Sequence, residues 1–99
     1  MPRFDVYRRP NGAGYVVDCQ ADMLGHLNSR FVAPLLPTGV APRPAGRLNP
    51  TFEIDGEPCI LVTQFAGAVP LRELGPVLFS LAGHDTEILN ALDMLLTGI

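Results

Sequence analysis

Residues 51–62 read TFEIDGEPCILV and contain the clearest local pattern in the chain. Asp55-Gly56 separates two short apolar-rich segments, and this dipeptide predicts a two-residue β-hairpin turn of type I′. The run Ile60-Leu61-Val62 has no polar residue, which predicts a central strand that is buried on both faces. The stretch therefore indicates a protein built on antiparallel strands.

Strand-like segments also lie on both sides of this hairpin. Arg3 to Arg9 alternates apolar and polar side chains and predicts a half-buried strand, and Tyr15 to Gln20 predicts a strand that pairs with it. Arg30 to Leu36 predicts a third strand, in which Pro34 favours an edge position or a bulge. Pro70 to Leu74 is a candidate sixth strand.

The end of the chain changes to a helical period. Its apolar side chains recur at the spacing of one helix face, at Ile88, Leu92, Leu95 and Leu96. We expect Asp85 or Thr86 to cap the start of this helix and Gly98 to end it. Hairpins closed by one C-terminal helix predict a small, mostly β barrel of antiparallel strands.

Length and composition restrict the classes of function. The 99 residues suffice for one domain, residues 1–99, and ten Gly with ten Pro argue against a helical bundle. A net charge of −3 argues against an electrostatically driven nucleic-acid binder. All seven basic residues are Arg, and the absence of Lys excludes a P-loop or a Schiff-base enzyme.

The pattern of apolar residues predicts a cytoplasmic protein. The start of the chain has no apolar segment of a signal peptide, and the uncharged stretch from Pro58 to Leu71 is too short to span a bilayer. Cys19 and Cys59 are therefore expected to be reduced core thiols. Together with His26 and His84 they lack the paired spacing of zinc ligands, so we expect no metal and no cofactor.

The polar side chains do not form a catalytic pattern. His84-Asp85 at a helix start is typical of a cap, and Glu53, Asp55 and Glu57 surround a turn. We therefore expect no catalytic residue.

Two features favour binding. Met23-Leu24 is an apolar pair in the polar loop from Ala21 to Ser29, and it is either covered by a partner or folded inward. Asn90 and Asp93 lie opposite the apolar stripe of the helix, where they meet a partner or only solvent.

Several segments resemble the CcdB toxin family. Residues 17–24, VDCQADML, are similar to the family's V-D-x-Q-[SA]-D followed by two apolar residues. Residues 30–35, RFVAPL, are similar to its R-[MF]-V-x-P-L strand. Ala68-Val69-Pro70, the helix from Glu87 to Leu96 and the closing Gly98-Ile99 follow in the family's order, so the resemblance extends over nearly the whole chain.

The resemblance implies a fold and a function. CcdB toxins are SH3-like barrels with a C-terminal helix, a fold they share with MazF toxins, and they form homodimers. They act in plasmid maintenance, where they poison DNA gyrase by binding its A subunit and trapping the cleaved DNA complex. A CcdA-like antitoxin neutralises them. The resemblance places the gyrase contacts at Met23, Leu24, Asn90, Asp93, Thr97, Gly98 and Ile99.

One departure from the family pattern leaves alternatives open. Thr97 stands where the family's gyrase poison has Trp, and aromatic anchors dominate protein interfaces. A homologue with a weakened or altered target is one alternative. A MazF-like endoribonuclease is another, because the same barrel type serves both chemistries.

Four arginines are candidates for antitoxin binding. Arg43 and Arg47 lie in the proline-rich connection from Pro37 to Pro50, and Arg8 and Arg9 end the first predicted strand. Arginine suits bidentate capture of the carboxylates in an acidic tail, and a mobile loop can become ordered on binding. Their alternative role is to keep the loop solvated.

Overall fold

The computed structural model describes residues 3–98. Within this range seven strands and one α-helix are connected by short 3₁₀ turns. The strands are β1 Asp5–Arg8, β2 Tyr15–Asp18, β3 Ser29–Pro37, β4 Thr51–Ile54, β5 Glu57–Leu61, β6 Gly67–Pro70 and β7 Phe79–Ser80. The helix, α1, is Asp85–Thr97. The 3₁₀ turns are Asp22–Leu24, Gly46–Leu48, Thr63–Phe65, Leu71–Glu73 and Ala82–His84.

The strands form one curled antiparallel sheet. Its order is β4-β5-β3-β2-β1-β7, and β6 pairs with the first half of β3. The helix α1 packs Ile88, Ala91 and Leu92 against the main core on one face of the sheet. The result is a half-barrel with one C-terminal helix, which confirms the predicted mostly β class.

The hairpin of residues 51–62 forms as predicted. Ile54 pairs with Glu57, and the two turn residues between them have positive φ, 52° at Asp55 and 80° at Gly56. Positive φ at both positions is the requirement of a type I′ turn. In β5 and just after it, Leu61 packs into the main core while Ile60 and Val62 pack on the opposite face. The prediction of a central strand buried on both faces is confirmed.

The expectation that Pro34 marks an edge or a bulge is wrong. It lies inside β3, which has partners on both sides. On one side Pro34 is opposite Val16. On the other side, its carbonyl accepts a hydrogen bond from the N–H of Val62. Pairing of β3 with β6 ends at Val32, and pairing of β3 with β5 begins at Leu35, so Pro34 lies between these two partner strands. A central strand tolerates this proline because its missing N–H faces the junction between two partner strands.

The first predicted strand is shorter and more buried than expected. It is Asp5–Arg8, and both of its faces are covered rather than one. Val6 faces the main core, whereas Tyr7 packs in a second cluster with Val16 and Val32. The alternation predicted one covered face, but β6 and the segment after it cover the other face by packing Val69 and Leu74 onto it. The second predicted strand ends at Asp18, two residues before Gln20.

The sixth strand lies earlier than predicted. It is Gly67–Pro70, and the residues assigned to it beyond Pro70 form the 3₁₀ turn Leu71–Glu73. Pairing ends because Pro70 is opposite Ser29, the first residue of β3. β3 therefore has no further residue with which residues 71–74 could pair.

The helix begins at a different cap from the predicted one. His84 occupies the N-cap position and makes no side-chain cap hydrogen bond, while Asp85 lies in the first turn. Gly98 ends α1 in the left-handed conformation, with φ 77°, and donates its N–H to the carbonyl of Met94 at 3.0 Å, as predicted. The predicted stripe is buried only in part, because Leu95 and Leu96 of the last turns are exposed.

Both cysteines are buried free thiols, as predicted. Burial raises the pKa of Cys19 to about 12, so this thiol stays protonated. Among residues 3–98 there is no group of three His, Cys, Asp or Glu side chains that is arranged to hold a metal ion. In the same range no helix has the length and apolarity needed to cross a membrane.

Candidate partner-binding site

The 3₁₀ turn Asp22–Leu24 presents the apolar loop pair to solvent. Met23 is 84% exposed and Leu24 is 43% exposed. None of the three residues of this turn is buried. The alternative in which the loop folds the pair inward is therefore wrong, and both side chains are accessible to a partner.

Buried polar side chains of β2 and β3 hold the segment around this turn. Arg30 of β3 is 3% exposed. Its guanidinium donates hydrogen bonds to three carbonyl oxygens, those of Gly25 at 2.8 Å and of Leu27 and Ser29 at 3.0 Å. Asp18 of β2 is its ionic partner, with 3.5 Å between Asp18 Oδ2 and Arg30 Nε.

Gln20 completes this network. Its side-chain amide donates to the carbonyl oxygens of Leu24 and Ser29, and its Oε1 accepts the N–H of Phe31 at 2.9 Å. Asp18 Oδ1 accepts the N–H of Gln20 at 3.0 Å. Burial raises the pKa of the Asp18 carboxyl, and this effect outweighs the opposing effects of the hydrogen bond and of Arg30. We call Asp18, Gln20 and Arg30 the loop clamp.

A second exposed feature is a cleft beside α1, the helix cleft. It has a volume of about 530 Å³ and is lined by Arg47, Asn90, Asp93 and Thr97. At a helical period of 3.6 residues, positions 90, 93 and 97 fall on one face, so one partner surface can contact all three. The structure therefore brings together three residues of the resemblance-based gyrase set and one arginine of the antitoxin set.

Arg47 reaches the helix from the turn Gly46–Leu48. Its Nη2 lies 3.9 Å from Met94 Sδ in the last turns of α1. A cation near a helix C-terminus interacts favourably with the partial negative charge of the unpaired carbonyls. The cleft is thus lined both by the positively charged Arg47 and by the Asp93 carboxylate.

The end of α1 has no aromatic anchor. Thr97 is exposed, and its hydroxyl donates to the carbonyl of Asp93 at 2.7 Å. Gly98 is exposed too. Ile99, the last residue of the resemblance-based set, lies outside the described residues.

The remaining arginines lie at different places. Arg8 lines a cleft of about 540 Å³ with Glu53, Asp55 and the β7 residues. Arg9 lines another of about 280 Å³, which we call the β6 cleft, with Val32, Phe65 and Glu73 among its lining residues. Arg43 is exposed in the irregular segment before Gly46. The four arginines of the antitoxin set do not line one common cleft.

His84 makes a contact that the sequence pattern did not predict. Its Nδ1 lies 2.9 Å from Glu87 Oε1, and its ring packs edge-on against Phe52 with 5.1 Å between centroids. Both side chains are about half exposed. The contact holds the start of α1 against β4, so His84 has a structural role at this junction.

A comparison with models of protein families identifies the family to which the chain is related. A model described as CcdB protein matches residues 3–98. The chain belongs to the CcdB family. The match confirms the resemblance seen in the motifs of residues 17–24 and 30–35, and both motifs supply residues of the loop clamp.

Solved structures agree with the fold of this CcdB-family protein. Mycobacterium tuberculosis toxin MazF-mt6 is similar, with a TM-score of 0.70 and 15% sequence identity over 93% of each chain. A comparison with curated protein sequences finds no match. Membership of this family supports a toxin of a toxin–antitoxin system and suggests an antitoxin as a partner.

Two features of these exposed surfaces could not be read from the sequence, the loop clamp and the exposed ring of Phe65. Asp18, Gln20 and Arg30 belong to the motifs that carry the resemblance, but their spacing does not show that they meet around one loop. Phe65, which is 58% exposed beside the β6 cleft, is a single aromatic residue in an apolar stretch. Only the three-dimensional structure shows that Phe65 is exposed and is not part of the core.

Proposed function

We propose that this CcdB-family protein inhibits DNA gyrase by binding its A subunit and trapping the cleaved DNA complex. The observation that carries the proposal is the helix cleft, in which Asn90, Asp93 and Thr97 face solvent together. The exposed pair Met23-Leu24 supplies apolar contact area on a second surface. Burial of such side chains contributes most of the free energy of protein association.

Binding of this kind needs no catalytic group in the toxin. The gyrase makes and reseals the DNA break, and the inhibitor acts by binding one state of the enzyme more tightly than the others. Gyrase works on chromosomal and plasmid DNA, so we place the protein in the cytoplasm. A plasmid-borne toxin with its antitoxin would then serve plasmid maintenance.

We assign neutralisation to a cognate, CcdA-like antitoxin whose acidic segment contacts the arginines. Arg47 is the best placed of the four, because it lines the helix cleft with the proposed gyrase contacts. A carboxylate of the antitoxin paired with Arg47 would occupy the space that the A subunit needs. Arg8, Arg9 and Arg43 extend the contact along a wrapped tail.

We further propose that the toxin is a twofold symmetric homodimer. Leu95 is 37% exposed and Leu96 is 73% exposed in the last turns of α1. A small half-barrel leaves these side chains uncovered, and an isologous contact between two copies would bury them.

A cleavage assay tests the gyrase proposal. Purified protein is incubated with gyrase and supercoiled plasmid, and the complex is then opened with detergent and protease. We expect linear DNA to accumulate. Met23→Asp should abolish the linear product, while Val40→Asp, which alters an exposed apolar side chain elsewhere, should not. Absence of linear DNA with the unaltered protein would contradict the proposal.

A second candidate is a MazF-like endoribonuclease. The toxin neighbour shares the fold, and the β6 cleft combines Arg9 and Glu73 with the exposed ring of Phe65. Arginine and carboxylate side chains can serve phosphodiester cleavage, and an aromatic ring can stack on a base. Specific RNA cleavage by the purified protein that is lost in Arg9→Ala would favour this candidate over gyrase inhibition.

A further inference from the structure

The turn that carries Met23 and Leu24 has no hydrophobic anchor of its own. None of the residues Asp22–Leu24 is buried, and the flanking Gly25 is only partly covered. Loops without buried apolar contacts are ordinarily mobile, because nothing offsets their conformational entropy. The order of this turn must therefore come from polar contacts.

The loop clamp supplies those contacts from a rigid base. Arg30 and Asp18 lie on adjacent central strands and are 3% and 1% exposed. From there the guanidinium binds the carbonyls of Gly25 and Leu27, beyond the turn. Gln20 binds the carbonyl of Leu24, within it. Side chains fixed by the sheet thus hold the backbone of an exposed segment.

A buried ion pair is a poor device for stability alone. Removal of two charges from water costs more than their attraction returns in many proteins, and apolar replacements often stabilise the fold. The raised pKa of Asp18 reflects this cost. The geometry of Arg30, with its planar fork spread over three carbonyls, instead restricts the loop to one conformation.

We propose that Asp18, Gln20 and Arg30 are positioning residues that preorganise the Met23–Leu24 turn for its protein partner. They do not touch the partner. They lower the conformational entropy of residues 21–28 in the free protein, so binding loses less entropy in ordering this segment. The inference rests on the proposed function, in which this turn contacts the gyrase A subunit.

Two variants weaken the clamp to different degrees. Gln20→Ala removes a partly exposed side chain and its contact with Leu24. Arg30→Lys keeps the charge but replaces the planar fork by a compact ammonium, whose donors all sit on one nitrogen and cannot reproduce the spread of the guanidinium over Gly25, Leu27 and Ser29. Val62→Ala is the matched control, because it lowers stability through a cavity in the cluster of Leu36, Ile60 and Val62, which contains no residue of the turn, the loop clamp or the helix cleft.

Amide hydrogen exchange measures how well ordered the turn is in the free protein, with no partner present. The N–H groups of Gly25 and Leu27 are bonded within the segment, to the carbonyls of Asp22 and Leu24. We expect Gln20→Ala and Arg30→Lys to speed exchange at these amides at least tenfold more than at β3 amides. Val62→Ala should not do so selectively. Unchanged exchange of residues 21–28 in both clamp variants would overturn the inference.

Calorimetry with the gyrase A subunit completes the test. We expect both clamp variants to bind at least tenfold more weakly, with a less favourable entropy, while Val62→Ala binds like the unaltered protein below its melting temperature. Weaker binding without the entropy change would also overturn the inference. If Met23→Ala leaves the affinity for the gyrase A subunit unchanged, the turn does not contribute to this binding and that part of the proposed function is wrong. The exchange measurement tests the loop clamp independently of that result.

Discussion

Arg47 Nη2 lies 3.9 Å from Met94 Sδ although the two residues are separated by 47 positions in the chain. The contact places an arginine of the irregular connection beside the polar face of α1. One of the four arginines proposed for antitoxin binding, Arg47, thus lines the same cleft as three residues proposed for target binding. We therefore expect the two proposed partners to compete for this cleft.

Replacement of Arg47 by Ala should weaken the antitoxin complex more than tenfold. A hydrogen bond to a charged group contributes about 1.5–3 kcal/mol, and one factor of ten in Kd corresponds to about 1.4 kcal/mol. The double variant with Arg43→Ala should bind more weakly still. Arg72→Ala, an exposed arginine in the turn Leu71–Glu73, serves as the control. Equal affinity of all variants in calorimetry would show that the arginines only solvate the loop.

Thr97→Trp should strengthen binding to the gyrase A subunit more than tenfold. Trp offers on the order of 200 Å² of surface, and a gain of about 100 Å² of apolar contact is worth about 2.5 kcal/mol at 25 cal/mol per Å². Ordering of the larger side chain offsets part of this gain. Thr86→Trp, in the first turn of the same helix, should have no effect. If the unaltered protein already binds tightly, or if Thr97→Trp does not increase the affinity, the side chain that anchors the gyrase A subunit lies elsewhere.

Sedimentation should give twice the chain mass of 10.7 kDa at micromolar concentration. Leu96→Asp should shift the protein toward the monomer, because a charge at an apolar contact between copies stays desolvated and unpaired. Val40→Asp should leave the mass unchanged. A single species of 10.7 kDa for the unaltered protein would rule out the dimer.

Stability should fall as the pH rises from acid toward neutral. Burial raises the pKa values of Asp5 and Asp18 in the folded state. The folded protein therefore binds protons more tightly than the unfolded chain, and this contribution is lost as the pH rises through the folded-state pKa values. Asp5→Asn should flatten the dependence and raise the free energy of unfolding at pH 7. Urea unfolding across pH measures both effects, and Glu53→Gln on the exposed face of β4 is the control. A steeper slope for Asp5→Asn would contradict the assignment.

Local chemistry determined several features from the sequence by itself. The Asp55-Gly56 turn requires two positive φ angles, which this dipeptide adopts at low cost, so the hairpin was predictable from twelve residues. The period and the terminal Gly98 of α1 are local in the same way. The motifs at residues 17–24 and 30–35 indicated the CcdB family, which the match over residues 3–98 shows.

Only the tertiary structure decided what depends on contacts between distant segments. Pro34 occupies a central strand because β5 and β6 meet beside it, and no pattern within β3 encodes that junction. Asp18 and Arg30 meet beside the Met23–Leu24 turn because β2 pairs with β3, and the sequence motifs do not show this ion pair. Arg47 joins the helix cleft because the connection folds back on α1. Side-chain period and turn preference act over a few residues, whereas these relationships arise from packing across the whole sheet.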